Sequence, residues 1–267
     1  MITRAITGSL FVIAIIAGVY FNETVAFGLF ALITLLGVDE FYGLVKKSKE
    51  IKPIRVWGTF SALTLLIVLG LIPHSSMAPK WVLLPACMLF FTFFIELFRK
   101  KEFPFVNIAY TLLGVFYVVL PFAMLFHLGY YKGSYNYQLI LGFFFLLWTS
   151  DTGAYLSGKF LGKHKLFERI SPKKTWEGSI GGLILSLVVA YVLSIYFTDL
   201  KLANWLIIAG LVVIFGGMGD LVESMLKRSL HIKDSGNILP GHGGILDRFD
   251  GLLLSVPFVY AYLWLIR

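Results

Sequence analysis

The chain is a succession of long apolar segments separated by short polar stretches. A bilayer core of roughly 30 Å needs about 20 apolar helical residues to cross it. The segments that approach this length are 6–21, 25–38, 56–72, 81–98, 108–128, 137–156, 179–197, 205–218 and 252–266. They lack the period-two alternation of membrane strands, so the pattern predicts helices. The predicted fold class is an all-α integral membrane protein, a multispanning helical bundle of about nine transmembrane helices.

Two of these segments are shorter than a bilayer requires. Segments 25–38 and 205–218 are each followed directly by polar residues. We expect both helices to continue into those residues, which places Asp39 and Asp220 at the edge of the membrane.

Composition excludes an ordinary soluble domain and explains the basic charge. Hydrophobic residues make up 58% of the chain, charged residues 14%, and the mean hydropathy is +0.83.

With a cytoplasmic N-terminus, all but four of the 23 Lys and Arg residues fall on the inner side; the exceptions are Lys80, Lys132, Lys201 and Arg267. This asymmetry predicts a multi-pass protein of the cytoplasmic membrane. The net charge of +8 then reflects contact with anionic lipid headgroups and does not imply nucleic-acid binding.

Polar residues divide the chain into two parts. Residues 1–147 read as N-terminal transmembrane helices, and 148–267 as a C-terminal catalytic region with cytoplasmic polar segments at 148–178 and 219–251. In the first part, the loop 39–55 contains Asp39 and Glu40, which we interpret as topology and headgroup contact.

The segment 219–251 concentrates residues that suit phosphate and metal chemistry. Asp220, Glu223, Ser224 and Lys227 are spaced to share one helix face. Asp247 and Asp250 share a face at the start of the last helix, and carboxylates on two helix ends suit Mg²⁺.

Glycines and cations in the same segment predict a phosphate-binding site. Gly243 and Gly244 precede a helix start, where backbone amides can approach an anion. Positive charge for a polyphosphate is available from Lys227, Arg228, Lys233 and Arg248. Each feature alone is ordinary for a turn or a membrane edge, but together they indicate a site for a metal-bound nucleotide.

Residues 224–250, SMLKRSLHIKDSGNILPGHGGILDRFD, resemble the signature of phosphatidate cytidylyltransferases, also called CDP-diglyceride synthetases, over all 27 positions. The resemblance implies transfer of a cytidylyl group from CTP to phosphatidic acid. It implies a requirement for Mg²⁺ and an associated monovalent cation such as K⁺. Its partners would be CTP, phosphatidic acid and membrane lipids, and a homodimer is compatible with an enzyme of this kind.

The resemblance also implies roles for individual residues. The expected metal ligands are Asp220, Asp247 and Asp151. The expected catalytic residues are Lys227, Arg228, His242, Asp247, Arg248 and Asp250. The expected substrate-binding residues are Ser224, Lys233, Asp234, Gly243, Gly244, Lys173 and Lys174. The last two, with Asp151 and Glu177, come from the stretches SDTGAY and SPKKTWEG, which resemble a family pattern; a helix start at Ser171 and Pro172 is an equally compatible interpretation.

Three alternatives stay open. A transporter or channel would line a pathway with ionisable residues, but here they cluster on one side of the membrane. A CDP-alcohol phosphotransferase would need a D-G-x-x-A-R run, which the chain lacks. A CTP-dependent polyprenol kinase has a similar architecture and would differ in its lipid substrate.

Overall fold

The computed structural model describes residues 2–48, 50–74, 78–230, 232, 236 and 243–267, without the side chains of residues 2–6, 78 and 79. Helices dominate these ranges. They are α1 (Ile2–Phe21), α2 (Glu23–Val45), α3 (Arg55–Leu71), α4 (Ala78–Trp81), α5 (Leu83–Arg99), α6 (Pro104–Leu128), α7 (Gln138–Leu161), α8 (Trp176–Tyr196), α9 (Leu202–Ser229) and α10 (Leu246–Leu265). A 3₁₀ turn (Ile72–His74) follows α3, and the strands are β1 (Lys165–Phe167) and β2 (Ser171–Thr175).

The helices confirm an all-α membrane protein. Every predicted apolar segment overlaps a single long helix. Within the described ranges, six helices are long and apolar enough to cross a membrane: α2, α3 with its following turn, α6, α7, α8 and α9. The predicted helical extensions are also confirmed, because α2 runs past Asp39 to Val45 and α9 runs past Asp220 to Ser229.

The helices carry large apolar side chains on their outer surfaces. On α5, Phe90 is 71% exposed, Leu97 72% and Phe98 80%. Exposed rings and leucines in such density would be unfavourable in water but suit contact with lipid tails. This distribution agrees with the membrane assignment.

The chain packs as two compact units. The first comprises Met1–His127 and Leu230–Arg248, and the second Leu128–Ser229 and Phe249–Arg267. The boundaries of these units differ from the predicted division at residue 147. That division was drawn where polar residues begin in the sequence, whereas the units are defined by tertiary packing.

In the first unit, polar groups on the helices bond to one another in the interior. The Tyr42 hydroxyl donates to the Thr111 carbonyl at 2.6 Å. Glu96, which is 2% exposed, accepts from Arg99 at 2.6 Å and from the Asn107 amide at 2.7 Å. Glu96 thus forms an ion pair with Arg99, and both of its buried oxygens are satisfied.

In the second unit, α7 packs along α8, and α8 along α9. Small residues permit the close approach of α7 and α8: a Cβ on Gly153 would lie 3.0 Å from the Gly181 carbonyl oxygen and 3.0 Å from the Gly182 Cα. This contact fixes the part of α7 that carries Asp151.

A short antiparallel hairpin joins α7 to α8, with Lys165 opposite Thr175 and Phe167 opposite Ser171. The alternative interpretation of Ser171 and Pro172 as a helix start is therefore wrong. The residues form a strand, and α8 begins at Trp176, where the Thr175 hydroxyl accepts from the Gly178 amide at 3.1 Å. The Glu177 carboxylate then accepts from the backbone amides of Lys163 and His164, which ties the base of the hairpin to the first turn of α8.

Candidate active site

Four carboxylates form an acidic cluster in the second unit: Asp151 on α7, Asp220 and Glu223 on α9, and Asp250 on α10. The charges of Asp220 and Glu223, and more weakly that of Asp151, act on the Asp250 carboxyl group. The cluster is thus a concentration of negative charge that a cation would stabilise.

The cluster exists because α9 and α10 approach each other very closely. A Cβ on Gly219 would lie 3.0 Å from the Gly251 Cα and would also press on the Asp250 carbonyl oxygen. Only glycine lets the two backbones meet here, and the chain neighbours of the two glycines, Asp220 and Asp250, carry carboxylates. The approach was not predicted, because neither glycine belongs to a recognisable local motif.

Replacing Gly219 with alanine should therefore destabilise the second unit. The added methyl overpacks the α9–α10 contact, and we expect a loss of about 1–3 kcal/mol in the free energy of unfolding. Chemical denaturation of the solubilised protein measures it. Gly210→Ala on the same helix is the matched control, because nothing lies within 4 Å of a Cβ there. Equal effects of the two substitutions would show that helix propensity, and not the close approach, decides the outcome.

The hairpin brings one lysine into the acidic cluster. The Lys174 ammonium lies 2.7 Å from Asp220 Oδ2 and donates to the Gly217 carbonyl at 2.8 Å. Its neighbour Lys173 is exposed, because alternate residues of a strand point to opposite faces. The structure thus separates two adjacent lysines that the sequence assigns the same role.

The predicted face of α9 forms as expected. The Ser224 hydroxyl lies 3.4 Å from Asp220 Oδ1, and Lys227 forms an ion pair with Glu223 one turn back. Glu223 is 1% exposed, so Lys227 compensates a buried charge. Arg228, by contrast, is exposed. Glu223 was noted for its spacing but assigned no role, because burial is not visible in a helix-face pattern.

The backbone amides at the start of α10, which lies in the first unit, donate to carboxylates of the protein itself. Gly244 N donates to Asp247 Oδ2 at 2.9 Å, and the next two amides, Ile245 N and Leu246 N, donate to Glu40. The amides expected to cradle a phosphate at this helix start therefore already have anionic acceptors. Gly243 has φ +86°, which explains a glycine at that turn.

Glu40 is the residue that the sequence interpretation misplaced. It was assigned, with Asp39, to a loop in contact with headgroups, but it lies within α2 and is 7% exposed. Asp39 is exposed and pairs with Arg55 at 2.6 Å, as expected for a surface residue. A pattern of local spacing cannot reveal a partner about 200 positions away, so no signal in the sequence identified Glu40.

The remaining predicted residues fall into two groups. Arg248 is described and exposed. Lys233, Asp234 and His242 lie outside the described residues, so their predicted roles rest on the resemblance.

The acidic cluster fits Mg²⁺ by the chemistry of its donors, since carboxylate oxygens are the ligands this ion prefers. Among the residues described, no three His, Cys, Asp or Glu side chains are grouped as a ready-made ion site. One Asp220 oxygen is held by Lys174. The donor set suits the metal, and a metal at Asp220 would share that carboxylate with the lysine.

Comparison with known proteins defines the class of protein to which this site belongs. The chain matches the model of the cytidylyltransferase family over residues 2–266, and it belongs to that family. It is 42% identical over 235 residues to the phosphatidate cytidylyltransferase of Staphylococcus haemolyticus strain JCSC1435, covering 85% of each chain. It is 41% identical to the proteins of the same name from Staphylococcus saprophyticus and Staphylococcus aureus strain COL, covering 78% of this chain and 80% of each relative.

Proposed function

We propose that the chain transfers the cytidylyl group of CTP to phosphatidic acid, giving CDP-diacylglycerol and pyrophosphate. Membership of the cytidylyltransferase family and the name of the three relatives support the reaction. The single structural observation that carries the proposal is the acidic cluster with Lys174 on Asp220, because carboxylates beside an ammonium suit a charged nucleotide.

The chemistry is an in-line displacement at the α-phosphorus of CTP. A phosphate oxygen of phosphatidic acid attacks, a new P–O–P bond forms, and the bond to the β-phosphate breaks to release pyrophosphate. The attacking oxygen is already anionic, so no general base is needed. The protein must instead position two anions and neutralise the charge that accumulates on the phosphates.

The described cations are suited to that task in different ways. Lys174 has three N–H donors, and its two described contacts leave one for a phosphate oxygen. Lys227 lies next to the acidic cluster through Glu223. We assign these two lysines to phosphate binding, and Arg228 and Arg248, both exposed, to contact with the more distant charges of nucleotide or lipid.

A magnesium ion is part of the proposal. Asp220 and Asp151 would hold it in the acidic cluster, and Asp247 stays a predicted ligand on the resemblance. When bound, the ion would neutralise charge on the phosphates of CTP. A monovalent cation and a homodimer also remain predictions of the resemblance, and the mass of the solubilised enzyme would test the second.

We further propose that the nine long helices among the described residues all cross the membrane, with the N-terminus and the active site on the cytoplasmic side. The length of α1, α5 and α10, each close to that of a bilayer crossing, supports the count. The concentration of Lys and Arg in alternate loops supports the orientation. A cysteine introduced at Lys132 should react with an impermeant thiol reagent from outside the cell, and one at Lys173 should not.

The reaction is tested with purified protein, labelled CTP and phosphatidic acid, with and without Mg²⁺. We expect labelled CDP-diacylglycerol only when both substrates and the metal are present. Transfer of phosphate to a polyprenol, with no product from phosphatidic acid, would replace the proposal with the kinase. A folded protein that binds no CTP would favour the transporter.

A further inference from the structure

We propose that Glu40 is a positioning residue of the active site: from α2, its carboxylate holds the start of α10 in place and thereby sets the position of Asp247. This inference rests on the proposed function, since it concerns the same reaction. Its carboxylate accepts hydrogen bonds from backbone amides, so the role that we assign to it is to position and not to catalyse.

Glu40 forms short hydrogen bonds to residues that are far from it in the sequence. Its Oε2 accepts from Ile245 N at 2.7 Å, and its Oε1 accepts from Leu246 N at 3.0 Å. The first amides of a helix have no acceptor within the helix, and an anionic acceptor also interacts favourably with the helix dipole. A buried carboxylate bonded to two such amides is a strong attachment between α2 and α10.

Two glycines make room for this carboxylate. A Cβ on Gly236 would lie 2.8 Å from Glu40 Oε2, and a Cβ on Gly244 would overlap both oxygens of the carboxylate. Glycine is therefore required at Gly244 by the position of Glu40. Because Gly236 and Gly244 lie on either side of residues 237–242, the same carboxylate contacts both flanks of that stretch.

The attachment extends directly to Asp247. Asp247 follows Leu246 in the chain, and its Oδ2 accepts from Gly244 N at 2.9 Å. Glu40 and Asp247 thus divide three successive amides between them. A displacement of the Ile245–Leu246 backbone would move Asp247 with it, and a misplacement of about 1 Å can reduce the rate about 100-fold.

The test compares Glu40→Gln with two controls from the same helix. Glutamine keeps the size of the side chain but turns one acceptor into an N–H₂ donor that faces a backbone amide. Asp39→Asn removes a neighbouring, exposed charge, and Gly43→Ala adds a methyl where nothing lies within 4 Å. We expect kcat to fall about 10- to 100-fold in Glu40→Gln. We expect the KM for CTP to change less than kcat, and both controls to stay within about twofold of the wild type.

Hydrogen exchange supplies a readout that does not depend on activity. In the wild type, the Ile245 and Leu246 amides should be protected, and in Glu40→Gln they should exchange at least about tenfold faster. Asp39→Asn should leave them unchanged. Gly244→Ala should accelerate the exchange of these amides as Glu40→Gln does. In the double variant, the acceleration should be smaller than the product of the two separate accelerations, because both substitutions disrupt the same contact.

The outcomes separate the inference from the proposed function. A wild-type protein without cytidylyl transfer refutes the proposed function, and exchange then still tests the attachment. Faster exchange with unchanged kcat overturns the positioning role, and unchanged exchange overturns the attachment itself. If Glu40→Gln does not fold, Glu40→Asp replaces it, because aspartate retains the charge but has a shorter side chain. We expect Glu40→Asp to have a lower kcat than the wild type. A Glu40→Asp protein with the wild-type kcat and wild-type exchange rates would overturn the proposal.

Discussion

Asp220→Asn should abolish most cytidylyl transfer while leaving the protein folded. Asparagine keeps the shape of the side chain but removes the charge that pairs with Lys174 at 2.7 Å and that we propose binds Mg²⁺. Loss of one preorganised electrostatic partner costs about 10²- to 10³-fold in kcat, and we expect a reduction of that size. Initial rates at saturating CTP and phosphatidic acid measure it.

The metal dependence distinguishes this explanation from a general disturbance. If Asp220 is a ligand, the Mg²⁺ concentration for half-maximal activity should rise in Asp220→Asn. Binding of Mg²⁺ or Mn²⁺ to the protein without substrates should weaken in parallel. Removal of the metal by a chelator should lower the wild-type rate at least as far as the substitution does, because the chelator removes all of the charge neutralisation that the ion supplies.

Asp199→Asn is the matched control. Asp199 also pairs with a lysine, Lys132, at 3.0 Å, and it precedes the N-terminal end of α9, whereas Asp220 lies in the last third of that helix. We expect its activity and metal dependence to match the wild type. An equal loss in both variants would mean that any broken acid–lysine pair suffices, and the metal role of Asp220 would be withdrawn.

The membrane helices were predictable because their signal is local and large. Each apolar segment needs only its own residues to indicate a helix, and the continuation of α9 past Asp220 follows from the short length of its apolar segment. The shared face of Asp220, Glu223 and Lys227 follows from helix geometry alone. These features require no knowledge of what packs against the helix.

The contacts that shape the site were not predictable in the same way. Glu40 bonds to amides about 200 positions away, and its burial depends on how α2 packs. The strand at Ser171 was missed because proline is tolerated both in the first turn of a helix and in an edge strand. Tertiary contact decides between such alternatives, and the sequence contains no local record of it.

The second large effect that we expect is a difference in kcat/KM between substitutions of two adjacent lysines in the hairpin. Lys174→Met should lower kcat/KM for CTP about 100-fold, because it removes a preorganised cation that is already fixed by Asp220 and the Gly217 carbonyl. Lys173→Met should lower it no more than about threefold, since Lys173 is exposed and its charge is screened by salt. Steady-state kinetics at two ionic strengths measure both.

The salt dependence makes the comparison decisive. The small effect of Lys173→Met should disappear at about 0.5 M salt, where the screening length falls to a few ångströms. The effect of Lys174→Met should persist, because the lysine side chain is only 24% exposed and its ammonium contacts Asp220 directly. Thermal unfolding of both variants controls for folding. Equal losses that vanish together in salt would mean that the hairpin acts through its total charge, and the specific placement of Lys174 on Asp220 would then play no part in the reaction.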